Sequence, residues 1–286
     1  MAGASIEIEG RQLNLTNLDK PLYPSGFTKS EVIDYYVRIA PVLLPHLVGR
    51  ALTTIRFPDG SMGKSFFSKN IPSFAPIWMD RVELRDNTYI VCNELASLVF
   101  LGNLAALELH VPLHRVADGV MTPDRIVFDL DPGPETTIVD CCQVALLISA
   151  LLRPLGMEMR AKTSGSKGLQ LYAIPPTPMT YDGPGGVTAF AKAVAEGLER
   201  EHPDRVVSKQ AKELRPGKIL IDWSQNVHAK TTVCVYSLRA RDEPTVSTPI
   251  TWEELEAGAA GAPLRFTAEM VLDRVDRLGD LFAVNA

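Results

Sequence analysis

The chain has 286 residues, 46% hydrophobic and 22% charged, with a net charge of −5, the balance of a globular protein long enough to bury a sizeable core. No apolar run approaches the roughly 20 residues of a spanning helix, and the opening MAGASIEIEG has neither the basic region nor the apolar stretch of a signal peptide. A cytoplasmic protein without membrane contact is therefore expected. Cys92, Cys141, Cys142 and Cys234 form no CxxC pair, which argues against a zinc site or a disulfide framework and for reduced core cysteines.

In chain order, the alternation at residues 5–9 predicts a short opening strand. Thr28 and Glu31 form a capping box, followed at helical spacing by Val32, Ile33, Tyr36, Ile39, Leu43 and Leu44, with the helix ending before Pro45. Strands are expected around 51–57 and 63–68, separated by the turn Pro58-Asp59-Gly60. Asn93 should cap a helix running to about residue 106, with a strand over 107–111. The centre reads as strand 124–131, helix 137–153, strands 157–162 and 168–174, and helix 186–201. Strands return at 217–222 and 231–236, Thr251 opens another capping box with Glu254, and a last helix covers 267–278. The order lacks strict βα repetition, which predicts an α+β fold and one catalytic unit over residues 1–286. His110 and His114 are four apart, but Pro112 between them argues against a helix and against a metal pair.

Charge is unevenly spread. Residues 205–241 hold eight basic and two acidic groups, whereas residues 242–286 hold three basic and nine acidic ones. That asymmetry is compatible with a basic binding face, although a solvated surface gives the same count.

The most informative stretch is Val127-Phe128-Asp129-Leu130-Asp131-Pro132. Side chains alternate along a strand, so Asp129 and Asp131 share one face while Phe128 and Leu130 take the other. Carboxylates this close repel each other, and a divalent cation with oxygen ligands is the natural compensation; a solvated strand end is the plainer alternative. Asp222 closes a second apolar strand, Lys218 to Ile221. Three such aspartates can hold two metals if the strands are neighbours, which spacing alone does not establish.

Several segments, taken together and in order, resemble the polymerase domain of bacterial ligase D, a member of the archaeo-eukaryotic primase group. They are Leu15 to Lys20 with Leu22-Tyr23-Pro24, Phe66-Phe67, Glu108 to Pro112, Val127 to Pro132, Thr163 to Gly168, Asp222 to Asn226 and Tyr236 to Arg239. The resemblance implies a primase-polymerase fold with a catalytic cleft, and a polymerase adding ribo- or deoxyribonucleotides to primer 3′ ends at short gaps and broken ends. It implies two divalent metals, Mg²⁺ or Mn²⁺, on Asp129, Asp131 and Asp222. It implies nucleotide contacts from His110, Ser164, Lys167, Gln170, Gln225 and Arg239, a 5′-phosphate site at Asn17, Lys20 and Lys29, and template stacking by Phe66 and Phe67. DNA, nucleoside triphosphates, the Ku end-binding protein and a separate DNA ligase are the implied partners.

Read without the resemblance, His110 is a satisfied strand histidine, Lys29 an exposed first-turn lysine, and one of Phe66 and Phe67 belongs to the core because neighbours in a strand face opposite ways. Gln225 either meets the nucleotide or orients Asp222. The turn at Ser164 and Gly165 is not a Walker A loop; it offers backbone N–H groups and the Lys167 charge to phosphates. One departure stands out: the family loop commonly ends Gly-Leu-His, and here it reads Gly168-Leu169-Gln170, which exchanges a group able to carry charge for a neutral amide. Two other readings remain: a primase starting primers de novo, and a DNA-end-binding module with vestigial chemistry. No ligase or phosphoesterase segment is evident, which fits an excised domain and a stand-alone relative equally.

Overall fold

The computed structural model describes residues 4–116 and 121–283. A hairpin of β1 (Ala4–Ile8) and β2 (Arg11–Leu15) precedes the 19-residue helix α1 (Lys29–Leu47). The next strands, β3 (Ala51–Arg56), β4 (Phe66–Ser68), β5 (Arg81–Leu84) and β6 (Asn87–Val91), lead through helix α2 (Leu95–Asn103) to β7 (Ala106–Val111). Then come β8 (Ile126–Pro132), α3 (Ile138–Leu152), β9 (Glu158–Thr163), β10 (Leu169–Ile174), α4 (Val187–Glu201), β11 (Val206–Val207), β12 (Ile219–Asp222) and β13 (Thr232–Val233). The chain closes with β14 (Pro249–Ile250), α5 (Trp252–Ala259) and α6 (Ala268–Leu278).

Besides the β1–β2 hairpin, two six-stranded sheets result: the first runs β11-β12-β8-β10-β9-β14, and the second β13-β7-β3-β6-β5 with β4 paired to β3. Among the described residues only β11 and β12 run parallel; the other pairs are antiparallel. Helix α3 lies against β8, β10 and β12 and is covered in turn by α5, while α1 packs on α2 and α6. The expected α+β class is what the chain adopts, and all four cysteines are free and buried.

Several local expectations are corrected. Helix α1 keeps its Thr28–Glu31 capping box but runs through Pro41 and Pro45 to Leu47. Each proline removes one helical hydrogen bond, and the fully buried stripe Ile39, Leu43 and Leu47 outweighs the loss. Asn93 does not cap α2, which starts at Leu95 after Glu94. Its side chain instead accepts from the Gly49 N–H and donates to Asp80, each at 2.8–2.9 Å. The strand expected at 63–68 shrinks to three residues, because tight turns ending at Gly60 and Gly63 take up the chain first. The strand expected at 231–236 is regular only at Thr232 and Val233, and the hairpin β5–β6, with Arg85 at φ 55°, was not anticipated.

One segment among the described residues is long and apolar enough to cross a membrane, Ile138–Leu155, with 18 residues and a mean hydropathy of 1.7. This overturns the expectation that no run comes near that length. The physical reason is local: α3 is sandwiched between sheet and α5, so it is apolar on two sides.

Candidate active site

Antiparallel register decides where the carboxylates meet. Asp222 lies directly opposite Asp129 across β12 and β8, so the two side chains share a face with Asp131, two residues along. On the other side of β8, Asp129 faces Gln170 of β10, and Gln170 faces Lys162 of β9. A single row, Asp222, Asp129, Gln170 and Lys162, thus crosses four strands on one face. Asp129 and Gln170 of this row, with Asp131, line a cleft of about 440 Å³. His110 of β7 and Val233 of β13 line it too, so the cleft is shared by the two sheets.

The carboxylates differ in their surroundings. Asp222 is 6% exposed, and its oxygens accept from Ser224 N–H (3.0 Å), Ser224 Oγ (2.6 Å), Gln210 Nε2 (2.8 Å) and Gln225 Nε2 (2.8 Å). Of the two roles open to Gln225, the structure contains the orienting one. Burial, with Asp131 alongside, pushes the Asp129 carboxyl above its ordinary value, against a hydrogen bond from Gln170 and the charge of Lys162. Asp131 is raised by burial and by Asp222, against Arg215 and Arg239.

Carboxyls held up by burial and by the charge of a neighbouring carboxylate are what a bound cation would relieve, and the donors are all hard oxygens. The set therefore fits a divalent metal. No cluster of three or more His, Cys, Asp or Glu is closed around one point among the described residues; the aspartates stand as an open row to which substrate oxygens can be added. His110 and His114 do not form a pair: His114 is buried, bonds the Tyr181 hydroxyl at 2.7 Å and stacks on His228.

Cations face the carboxylates. Arg239, Arg215, Arg241 and Lys167 all line the cleft. Arg239 makes an ion pair with Glu108 at 3.1 Å and donates to the Ser164 carbonyl. Glu108 also bonds His110 at 3.1 Å and accepts from the Ala240 N–H at 3.2 Å. Burial alone would raise Glu108, but these partners hold it at about 2, so it stays ionised. His110 is lowered, chiefly by burial against the Glu108 attraction, and its imidazole is neutral near pH 7.

The 164–168 turn is tied to itself. Ser164 Oγ accepts from the Ser166 and Gly168 N–H groups at 3.2 and 3.1 Å, so two N–H groups expected to face a phosphate are already engaged. The Ser164 hydroxyl proton remains to donate, and Lys167 is exposed. A Cβ on Gly168 would sit 2.4 Å from the Leu130 carbonyl oxygen, which is why this turn can hug β8 only with glycine there.

Asn17, Lys20 and Lys29 also come together. The Lys20 N–H bonds the Asn17 carbonyl, the Lys29 N–H bonds the Lys20 carbonyl, and Asn17 takes a left-handed φ of 53°. Lys29, read from sequence as exposed, is 5% exposed, and its ammonium donates to the Thr16 carbonyl at 2.5 Å. Burial, with Lys20 nearby, lowers it to about 8. Lys20 pairs with Asp59 at 3.2 Å in solvent. Tyr23 OH reaches the Arg239 carbonyl and Ser61 Oγ the Arg241 carbonyl, so this corner is fastened to the cleft's rim. Phe66 and Phe67 are both exposed, at 45% and 61%, instead of one being core. Their strand is three residues long and, among the described residues, pairs with β3 alone, which leaves it at the sheet's edge.

Glu108, Lys162 and Gln210 escaped the sequence reading as site residues. Glu108 and His110 sit two apart on one strand, a signal that was present. Lys162 and Gln210 gave none, because their partners lie on other strands.

The family model for the LigD primase-polymerase domain matches residues 28–282. The chain is 44% identical over 278 residues to a multifunctional non-homologous end joining protein LigD of Mycolicibacterium smegmatis, covering 95% of this chain and 36% of that one. It is 33% identical over 270 residues to the bifunctional LigD of Bacillus subtilis, covering 94% and 43%. The chain thus spans well under half the length of these relatives. Among solved structures it is similar to the polymerase domain of Mycobacterium tuberculosis ligase D in complex with DNA, with a TM-score of 0.86 and 41% identity, covering 94% of this chain and 96% of that one.

Proposed function

The chain belongs to the LigD primase-polymerase family, and from that premise we propose that it is a template-directed polymerase extending primer 3′ ends at short gaps and double-strand-break ends in DNA repair. The observation that carries the reading is the register that sets Asp222 opposite Asp129, beside Asp131, on a cleft lined by cations. An enzyme of this family is a nucleotidyltransferase dependent on divalent metal.

In the reaction, the primer 3′ oxygen attacks the α-phosphorus of the incoming nucleotide and pyrophosphate leaves. Two bound cations, Mg²⁺ or Mn²⁺, would supply the charge that acidifies the 3′-hydroxyl and neutralises the leaving pyrophosphate. Asp129, Asp131 and Asp222 would hold them, with Gln210, Ser224 and Gln225 fixing the Asp222 carboxylate. Arg239 and Lys167 neutralise the triphosphate, Ser164 donates its hydroxyl proton to it, and neutral His110 is held by Glu108 against the nucleotide. Gln170 donates from its amide to the same region. Lys29, Lys20 and Asn17 take the 5′-phosphate across the gap, helped by the N-terminal end of α1. Exposed Phe66 and Phe67 stack on template bases, an attraction that needs no sequence readout. Residues 1–286 act as one catalytic unit on cytoplasmic, nucleoid-associated DNA, with Ku and a DNA ligase as the partners that present and seal the ends.

The test is nucleotide incorporation on primed DNA with a short 5′-phosphorylated gap, comparing ribo- and deoxyribonucleotides in Mg²⁺ and Mn²⁺. Templated extension by the wild type and none by Asp129→Ala is the expected result. Dinucleotide synthesis without a primer would favour a primase. Binding of gapped DNA with no extension under any condition would leave an end-binding module.

A further inference from the structure

The row that crosses the sheet of β8 does not stop at the aspartates. Lys162 is 1% exposed, and its ammonium donates to Gln170 Oε1 at 2.5 Å and to Ser247 Oγ at 2.7 Å. Burial lowers Lys162 to about 7, and charged or neutral it has N–H groups enough for both bonds; the Ser247 proton is already given to the Thr163 carbonyl at 2.9 Å, leaving its oxygen lone pairs for Lys162. The Tyr172 hydroxyl also donates toward Gln170 Oε1, at 3.4 Å. With its carbonyl oxygen engaged on that side, the Gln170 amide turns its NH₂ toward Asp129, which lies directly opposite it across β10 and β8, and toward the cleft it lines.

We propose that Lys162 is a positioning residue for this site, locking the Gln170 amide so that a donor, and never the carbonyl oxygen, faces Asp129 and the substrate. The proposal rests on the polymerase reading above. An amide is a two-ended group whose ends are nearly identical in size. Released from Lys162, it can turn its oxygen toward the Asp129 carboxylate, where it repels the carboxylate and offers nothing to a phosphate. A histidine placed there would be a ring with no carbonyl end to turn the wrong way. A glutamine there needs a lock, and Lys162 is built into the adjacent strand, in register, to provide one.

The consequence is a specific dependence between two positions, read as a double-mutant cycle. Lys162→Met keeps side-chain length and removes the donor. On gapped DNA it is expected to lower kcat/KM for nucleotide incorporation by about 10–100-fold, the usual scale for losing a group that orients a ligating side chain, while gapped-DNA affinity stays as in wild type. In a Gln170→His background the same Lys162→Met change should alter kcat/KM by less than about twofold. An equal loss in both backgrounds, or no loss with Gln170 present, overturns the proposal. If Lys162→Met damages the fold, the melting temperature drops in both backgrounds. Ser247→Ala then carries the test, since it frees the buried ammonium to swing away from Gln170, and wild-type kinetics in that variant overturn the lock. Wild-type protein that incorporates nothing would remove the polymerase reading, and this proposal with it.

Discussion

Glu108 shows how much one side chain can organise. It binds Arg239, His110 and the Ala240 N–H together, so two groups proposed for the nucleotide depend on one carboxylate. Its carboxyl lies at about 2, below the ordinary 4.5. A depressed carboxyl contributes stability that is complete above the unfolded value and is lost as pH falls through the folded one. Glu108→Gln should therefore cost about 3 kcal/mol near neutral pH, the scale for breaking a buried, hydrogen-bonded charge pair. The gap to wild type should close as pH is lowered from about 4.5 toward 2, which urea unfolding across that range would check. A pH-independent difference would mean that packing, not charge, is what the glutamate provides. The same variant should raise KM for the nucleotide, because Arg239 and His110 lose their common anchor.

At the scale of an element, the start of α1 joins stability to recognition. Thr28 accepts from the Glu31 N–H, and Glu31 returns a bond to the Thr28 N–H at 2.7 Å. The next residue is Lys29, buried and turned to the loop that carries Asn17 and Lys20. Thr28→Ala should cost about 1 kcal/mol of stability, the usual worth of a cap. It should also weaken the preference for gapped DNA bearing a 5′-phosphate over the same DNA without one. Measured affinities for the two DNAs check this, first in wild type. If wild type binds both equally, Lys20 and Lys29 are not a phosphate site. If wild type discriminates and Thr28→Ala does so equally well, the cap has no part in it.

At the scale of the molecule, net charge and working charge disagree. The chain carries −5 overall, yet Lys167, Arg215, Arg239 and Arg241 converge on one cleft. DNA affinity should therefore fall steeply with salt, by a log–log slope of about −0.9 for each phosphate neutralised. Replacing Lys20 and Lys29 together by alanine should flatten that slope by about one phosphate's worth, since both serve the same 5′-phosphate. An affinity insensitive to salt would show that DNA lies elsewhere.

The sequence by itself determined the elements whose signals are local. Capping boxes at Thr28 and Thr251, the alternation through Asp129 and Asp131, and the apolar runs of the central strands and helices are all fixed within a few residues, and the structure keeps them. The ordered motifs likewise carried the family, because motif order is a property of the chain alone. What depended on partners far along the chain was not legible. Asp222 meets Asp129 only because β12 pairs with β8 in one register, and a slip of one residue would turn the carboxylate to the other face. Lys29 is buried and Phe67 exposed for reasons set by neighbouring elements, not by their own neighbours in sequence. Lys162 gave no signal at all, since its partners, Gln170 and Ser247, lie 8 and 85 residues away. Periodicity and caps are short-range physics that a sequence states directly; register, burial and hydrogen-bond pairing are decided only when distant strands close on one another.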